Sequence, residues 1–155
     1  MRHRIHHIPV CPFSQRVEIL LDLKGLTGEI DFSVVDITKP RDPALLELSK
    51  GTTALPVMEV PGRTALKESR VILRYVESTF DSRPVARTDP YVHALESLLV
   101  QREGPFGMAG YGFVMNQDGA QRDAFRDRML AEYRTLNDIL VNYAPGETWF
   151  FDDFG

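Results

Sequence analysis

Val10-Cys11-Pro12-Phe13-Ser14-Gln15-Arg16-Val17 is the stretch on which the reading of this chain turns. Upstream, Arg4 to Val10 has the make-up of a short strand. At Cys11-Pro12 it gives way to a helix, because proline suits a first helical turn, where its missing N–H would be unpaired anyway. Phe13, Val17, Leu20 and Leu21 then recur at helical spacing, and Lys24-Gly25 closes the helix with a cationic last turn and a C-cap glycine. A thiol at this junction sits beside unpaired backbone N–H groups and the positive end of the helix dipole, which favour a thiolate. Ser14 stands where a Cys-x-x-Cys dithiol would have its second sulfur. The site therefore forms no internal disulfide but can form a mixed disulfide with a small thiol. The bland alternative is a small buried filler, a common fate of free cysteine; strand end, proline and helix start together favour a functional thiol.

Further along, Ile30, Phe32 and Val34 alternate as a half-buried strand, and Asp42-Pro43 opens a short helix through Leu45, Leu46 and Leu48. Leu55 to Val60 reads as a strand, Pro61-Gly62 as a tight turn and Thr64 to Leu66 as the return strand of a hairpin. Glu68-Ser69 starts a helix with Val71, Ile72, Tyr75, Val76 and Phe80 on one face. The order strand, helix, strand, helix, hairpin, helix gives an α/β first module over residues 1–80. Asp81-Ser82-Arg83-Pro84 and Thr88-Asp89-Pro90 mark a linker at 81–89. Charge shifts there too: residues 1–83 carry 12 basic and 11 acidic side chains, residues 84–155 carry 6 and 11.

The second module, 90–155, reads as all helical. Leu95, Leu98 and Leu99 mark one segment, and Phe125, Met129, Tyr133, Leu136 and Leu140 another. Gly104 to Gly119, rich in glycine and in aromatics such as Phe106, Tyr111 and Phe113, is expected to be a long loop. Two amphipathic helices expose more apolar surface than they cover, and the aromatic run Trp149-Phe150-Phe151 should pack against something. The helical module is therefore expected to be incomplete.

Composition narrows the function classes. The 155 residues carry a formal charge of −4, which lacks the electrostatic footprint of a nucleic-acid binder. No apolar run reaches the length of a membrane helix, and the basic, histidine-rich start does not resemble a signal peptide, so a soluble, cytoplasmic protein is expected. The single cysteine rules out a disulfide framework and a cysteine-based metal cage. His3, His6 and His7 share a strand, but only some share a face and no carboxylate is close by, so they read as solvated or sheet-packed and no metal is assigned. Glu68-Ser69 alone is a respectable helix start, and such pairs are usually caps. Leu55-Pro56 alone reads as an edge-strand proline, since few X–Pro bonds are cis.

Taken in order, Cys-Pro-Phe-Ser-Gln-Arg-Val at 11–17, Leu-Pro-Val at 55–57 and Lys-Glu-Ser at 67–69 resemble the soluble glutathione transferase superfamily. The Cys-Pro-Phe-Ser form is similar to its cysteine-bearing branches, the omega-like enzymes and the bacterial glutathione lyases. The resemblance runs motif by motif over residues 1–80 and only by helical pattern over 88–155. It implies a thioredoxin-like, glutathione-binding N-terminal domain followed by an all-α domain longer than the stretch present. It makes Cys11 the thiol that forms the glutathione mixed disulfide, Phe13 a glutathione neighbour and Pro56 a cis-proline. Leu55 would pair its backbone with the glutathionyl cysteine. Glu68 and Ser69 would hold the γ-glutamyl end, a carboxylate meeting the ammonium and helix-start N–H groups meeting the carboxylate. Lys39 and Lys50 are positional candidates for the glycyl carboxylate, without a motif to anchor either.

The resemblance thus implies a cytoplasmic, homodimeric glutathione transferase with glutathione as cosubstrate, no metal, and a small disulfide or electrophile as second substrate. Thiol transfer through Cys11 is the leading expectation. Conjugation or lyase chemistry on a small electrophile is the second. A non-enzymatic interaction protein, like the starvation-induced proteins that associate with RNA polymerase, is the third, and Cys11 with Glu68-Ser69 argues against it. A chloride-channel-like membrane form finds no supporting segment.

Overall fold

The computed structural model describes residues 2–144 and 150–151. Trp149 and residues 152–155 of the aromatic terminus lie outside that range. The chain divides into two compact units, Met1–Val85 and Ala86–Gly155.

The first unit is thioredoxin-like: a four-stranded mixed sheet in the order β2-β1-β3-β4, with the strands β1 (Arg4–His7), β2 (Asp31–Val34), β3 (Val57–Glu59) and β4 (Leu66–Lys67), and the helices α1 (Pro12–Leu23), α2 (Pro43–Leu48) and α3 (Ser69–Thr79). β1 runs parallel to β2 and antiparallel to β3. Ile5 and Met58, paired across β1 and β3, send their side chains into one core with Val17 and Leu21 of α1 and Ile72 and Val76 of α3, all 1% exposed or less. Burial of this apolar set against the sheet is the main force holding α1 and α3 in place.

Local chemistry sets the boundaries. β1 ends at His7, three residues short of the Arg4–Val10 expectation. The Cys11 N–H bonds to Ile8 O at 3.0 Å and closes a turn that takes residues 8–10 out of the ladder. Gly25, with φ +70°, occupies the left-handed position after α1, where Gly25 N–H to Asp22 O and Leu26 N–H to Leu21 O form the paired bonds of a Schellman end. α2 ends in the same pattern, but the left-handed residue is Lys50, at φ +54°. Pro61-Gly62 makes the expected turn, closed by Arg63 N–H to Val60 O at 3.0 Å. The return strand starts at Leu66, later than the Thr64–Leu66 expectation, because the register pairs Met58 with Leu66 and Val57 with Lys67.

Lys24 corrects another expectation. It is the C-cap of α1, and its side chain is 1% exposed, too buried to serve as a solvated cation on the helix dipole. Its Nζ pairs with Glu77 Oε2 of α3 at 3.0 Å and donates to Arg83 O at 3.1 Å. Glu77 Oε1 in turn accepts from Val85 N–H at 2.9 Å. A buried ion pair therefore fastens residues 83–85 to the ends of both helices.

The second unit holds α4 (Pro90–Met115) and α5 (Arg122–Tyr143), joined through a short 3-10 turn, Gly119–Gln121. Asp89 caps α4 by accepting from Tyr91 and Val92 N–H, with Pro90 in the first turn. The expected loop from Gly104 to Gly119 is instead mostly helix: α4 runs through Gly104, Pro105 and Gly107 to Met115. Tertiary contacts override propensity here. Phe106 meets Tyr133 edge-on at 4.9 Å, Ala109 is buried, and Arg102 bonds to Glu132 of α5. Gly112 leaves room for the ring of Phe125, which lies 3.3 Å from where a Cβ would be. Small residues let the two helices approach where larger ones would force them apart. Phe150 and Phe151 pack edge-to-face on each other, with their centroids 4.9 Å apart.

Candidate functional site

Strand register gathers the sequence-derived residues at one end of the first sheet. β1 leaves the sheet there and leads into Cys11. The antiparallel pairing of His6 with Val57 brings the start of β3, and thus Leu55-Pro56, to the same end. Pairing of Val57 with Lys67 brings Glu68 and Ser69 there as well. β2, parallel to β1, delivers the segment from Val35 to Asp42.

Cys11 is the N-cap residue of α1, in extended backbone, partly exposed, and its side chain makes no cap bond. Its carbonyl accepts from Ser14 and Gln15 N–H, both at 2.9 Å, which begins the helix. Gln15 Nε2 donates back to Pro9 O at 2.9 Å, and the buried Ser14 hydroxyl lies 3.5 Å from Ile8 N–H. The turn bearing the thiol is thus tied to the strand before it. Phe13 is 46% exposed, with the Arg16 guanidinium 5.0 Å from its ring centre. Leu55–Pro56 is a cis peptide, with Pro56 buried.

Glu68 is exposed and holds φ at +68°, a region that side-chain-bearing residues rarely adopt. It stands at the N-cap of α3, yet its carboxylate makes no cap bond. Its carbonyl starts the helix by accepting from Val71 and Ile72 N–H, at 2.9 and 3.1 Å, so Glu68 caps α3 through its backbone while its side chain stays out of the cap. Ser69, the first residue of α3, is buried.

Of the cations considered for the glycyl end, Lys39 is 76% exposed and pairs with Asp36 at 3.1 Å, and Lys50 is exposed at the end of α2. That Asp36 carboxyl is held below the ordinary carboxylate range, chiefly by the Thr38 side chain. Sequence reasoning passed over Arg41. It donates from a guanidinium NH2 to Thr53 O at 2.8 Å, two residues before Leu55, and its buried Nε has no hydrogen-bond partner among the described residues. No periodicity marks it, because it sits in a loop and meets a residue 12 positions away.

The histidines also depart from expectation, since two of them do find carboxylates. His6 Nε2 bonds to Glu59 Oε1 at 2.7 Å, and buried His7 bonds through Nδ1 to Glu18 Oε1 at 2.5 Å. His3 meets the Tyr75 hydroxyl at 3.1 Å, and burial lowers its pKa. Among the described residues, no three His, Cys, Asp or Glu side chains gather as a metal site.

Comparison with known proteins places this arrangement. Residues 10–79 match the family model of the glutathione S-transferase N-terminal domain. The chain is 38% identical over 86 residues to glutathione S-transferase U2 of Arabidopsis thaliana, covering 56% of this chain and 36% of that protein. It is 20% identical over 138 residues to glutathione S-transferase omega-1 of Sus scrofa, covering 89% and 56%. The chain thus spans between a third and about half of the length of these curated relatives. Its fold matches that of a Tau class glutathione S-transferase from mango with a TM-score of 0.83, at 16% identity and over 99% of this chain and 70% of that one. Residues 10–79 are an N-terminal domain of the glutathione S-transferase family, and the chain carries the soluble glutathione transferase fold.

Proposed function

We propose that this chain is the thiol-bearing part of a glutathione-dependent thiol transferase of omega-like type, with Cys11 as nucleophile. The observation that carries the reading is Cys11 at the uncapped N-terminus of α1, at the sheet end where Leu55-Pro56 and Glu68-Ser69 also lie. Partial positive charge from the helix start favours an anionic sulfur there. The Cys11 thiolate attacks the glutathione sulfur of a glutathionylated substrate and expels the substrate thiolate. A second glutathione thiolate then attacks the Cys11–glutathione disulfide, freeing Cys11 and leaving as oxidised glutathione. Ser14 cannot resolve that disulfide, so the resolving thiol is external.

Glutathione is held at three points in this reading. Glu68 takes the γ-glutamyl ammonium and the start of α3 at Ser69 takes its carboxylate. The Leu55 backbone pairs with the glutathionyl cysteine, beside Phe13. Arg41 takes the glycyl carboxylate, supported by its position beside Thr53 and by an Nε without a partner among the described residues. The same resemblance supports a cytoplasmic homodimer as the working form.

Cys11→Ser tests the reading. Reduction of a small glutathione mixed disulfide should fall to the uncatalysed rate, while calorimetry still detects glutathione binding. Retained disulfide reduction in the variant would refute the nucleophile. Gain of conjugation to a small electrophile would favour the second chemistry, in which glutathione's own thiolate attacks. No binding of glutathione by the unmodified chain would favour an interaction protein.

A further inference from the structure

The thiol-transfer reading leaves the buried pair His7 and Glu18 unused. His7 ends β1, its side chain is 6% exposed, and its ring lies 5.0 Å from that of Phe32 on β2. Nδ1 meets Glu18 Oε1 of α1 at 2.5 Å. A carboxylate only accepts, so the proton is on Nδ1. Nε2 is buried with no hydrogen-bond partner among the described residues, so there the ring spends its polarity on the link between strand and helix.

The link spans the turn that carries the thiol. Residues 8–10 join β1 to Cys11, and their ties to α1 include the Gln15 bond to Pro9 O and the loose approach of Ser14 to Ile8. Val17 and Leu21 fix which face of α1 is buried through apolar packing, which is non-directional. A short hydrogen bond is directional and fixes what packing leaves free. Glu18 lies one residue beyond the buried Val17, so the His7 bond adds a directional tie between the end of β1 and α1 on the side of the helix next to the core.

The geometry points to His7 and Glu18 as positioning residues for Cys11: their bond holds the first turn of α1 at the angle from which the thiolate attacks. The inference rests on the proposed role of Cys11.

The test uses the full chain, with iodoacetamide alkylation of Cys11 as one readout and turnover of glutathione with bis(2-hydroxyethyl) disulfide as the other. His7→Leu and Glu18→Ala should each slow both by about tenfold, within the range that misplacing a reacting group produces, with the KM for glutathione within about twofold. The double variant should be no slower than either single one, because both remove the same bond. His7→Asn places an amide N–H where Nδ1 was and should recover most of the rate, which a merely volumetric role would not allow. Glu18 is 33% exposed, so its variant keeps the test open if His7→Leu fails to fold. Unchanged alkylation in Glu18→Ala, or His7→Asn as slow as His7→Leu, would overturn the inference. Retained turnover in Cys11→Ser would instead overturn the reading beneath it, and the alkylation rates would still report on positioning.

Discussion

Glu68 holds an unfavourable backbone conformation and its side chain makes no cap bond, so its functional and structural roles separate cleanly under substitution. Glu68→Gln removes the charge while keeping size. If Glu68 holds an ammonium, glutathione affinity should drop about tenfold or more, because charge-assisted hydrogen bonds are worth about 1.5–3 kcal/mol. The melting temperature should hardly change. Calorimetry and thermal unfolding on one preparation check both, and unchanged affinity would remove Glu68 from the site. His3 gives a pH prediction. Burial lowers its pKa in the folded chain, so the unfolded chain binds that proton more readily. Its contribution is complete above the ordinary value of 6.5 and is lost as pH falls below it. His3→Phe should flatten the decline in melting temperature between about pH 7 and pH 5; equal slopes in both proteins would refute it. Cys11 and Glu68-Ser69 were legible in the sequence because each sits at a helix start marked by its neighbours. Arg41 and the His7–Glu18 pair were not, since their partners lie 12 and 11 residues away across turns that no periodicity announces.

The helices α1 and α2 announce themselves in the chain because their caps and breakers agree with their apolar spacing: Pro12, Asp42-Pro43 and the Gly25 end. α4 is the opposite case. Its Gly104, Pro105, Gly107, Gly110 and Gly112 are poor helix formers, and what makes them helical is α5, which no local rule describes. Two of these glycines should therefore respond differently to alanine. At Gly107 a Cβ meets nothing within 4 Å, so Gly107→Ala should stabilise by about 0.5–1 kcal/mol from backbone entropy alone. At Gly112 the new Cβ would lie 3.3 Å from the Phe125 ring, which must shift to receive it. Gly112→Ala should gain nothing or lose stability. Urea midpoints of the two variants decide it, and equal gains would mean that Gly112 is not needed for the close approach of the helices.

Across the molecule, the Lys24–Glu77 pair joins the end of α1 to α3 and also secures residues 83–85. Lys24→Met removes the ammonium 3.0 Å from Glu77 and should cost about 3 kcal/mol, whereas Lys24→Met with Glu77→Leu should recover much of the loss. Urea unfolding of the two variants checks the order. Neither residue's role could be read from sequence spacing, since Lys24 reads equally well as a solvated cation at a helix end. The convergence of four chain segments at one end of the sheet has a thermodynamic consequence. Cys11, Arg41, Leu55-Pro56 and Glu68-Ser69 come together only when β1, β2, β3 and β4 are all in register, so a ligand held by them has no foothold on the unfolded chain. Occupancy and folding are then linked equilibria. The melting temperature becomes a logarithmic gauge of ligand concentration, rising by the equivalent of about 2.7 kcal/mol when the ligand is at a hundred times its dissociation constant.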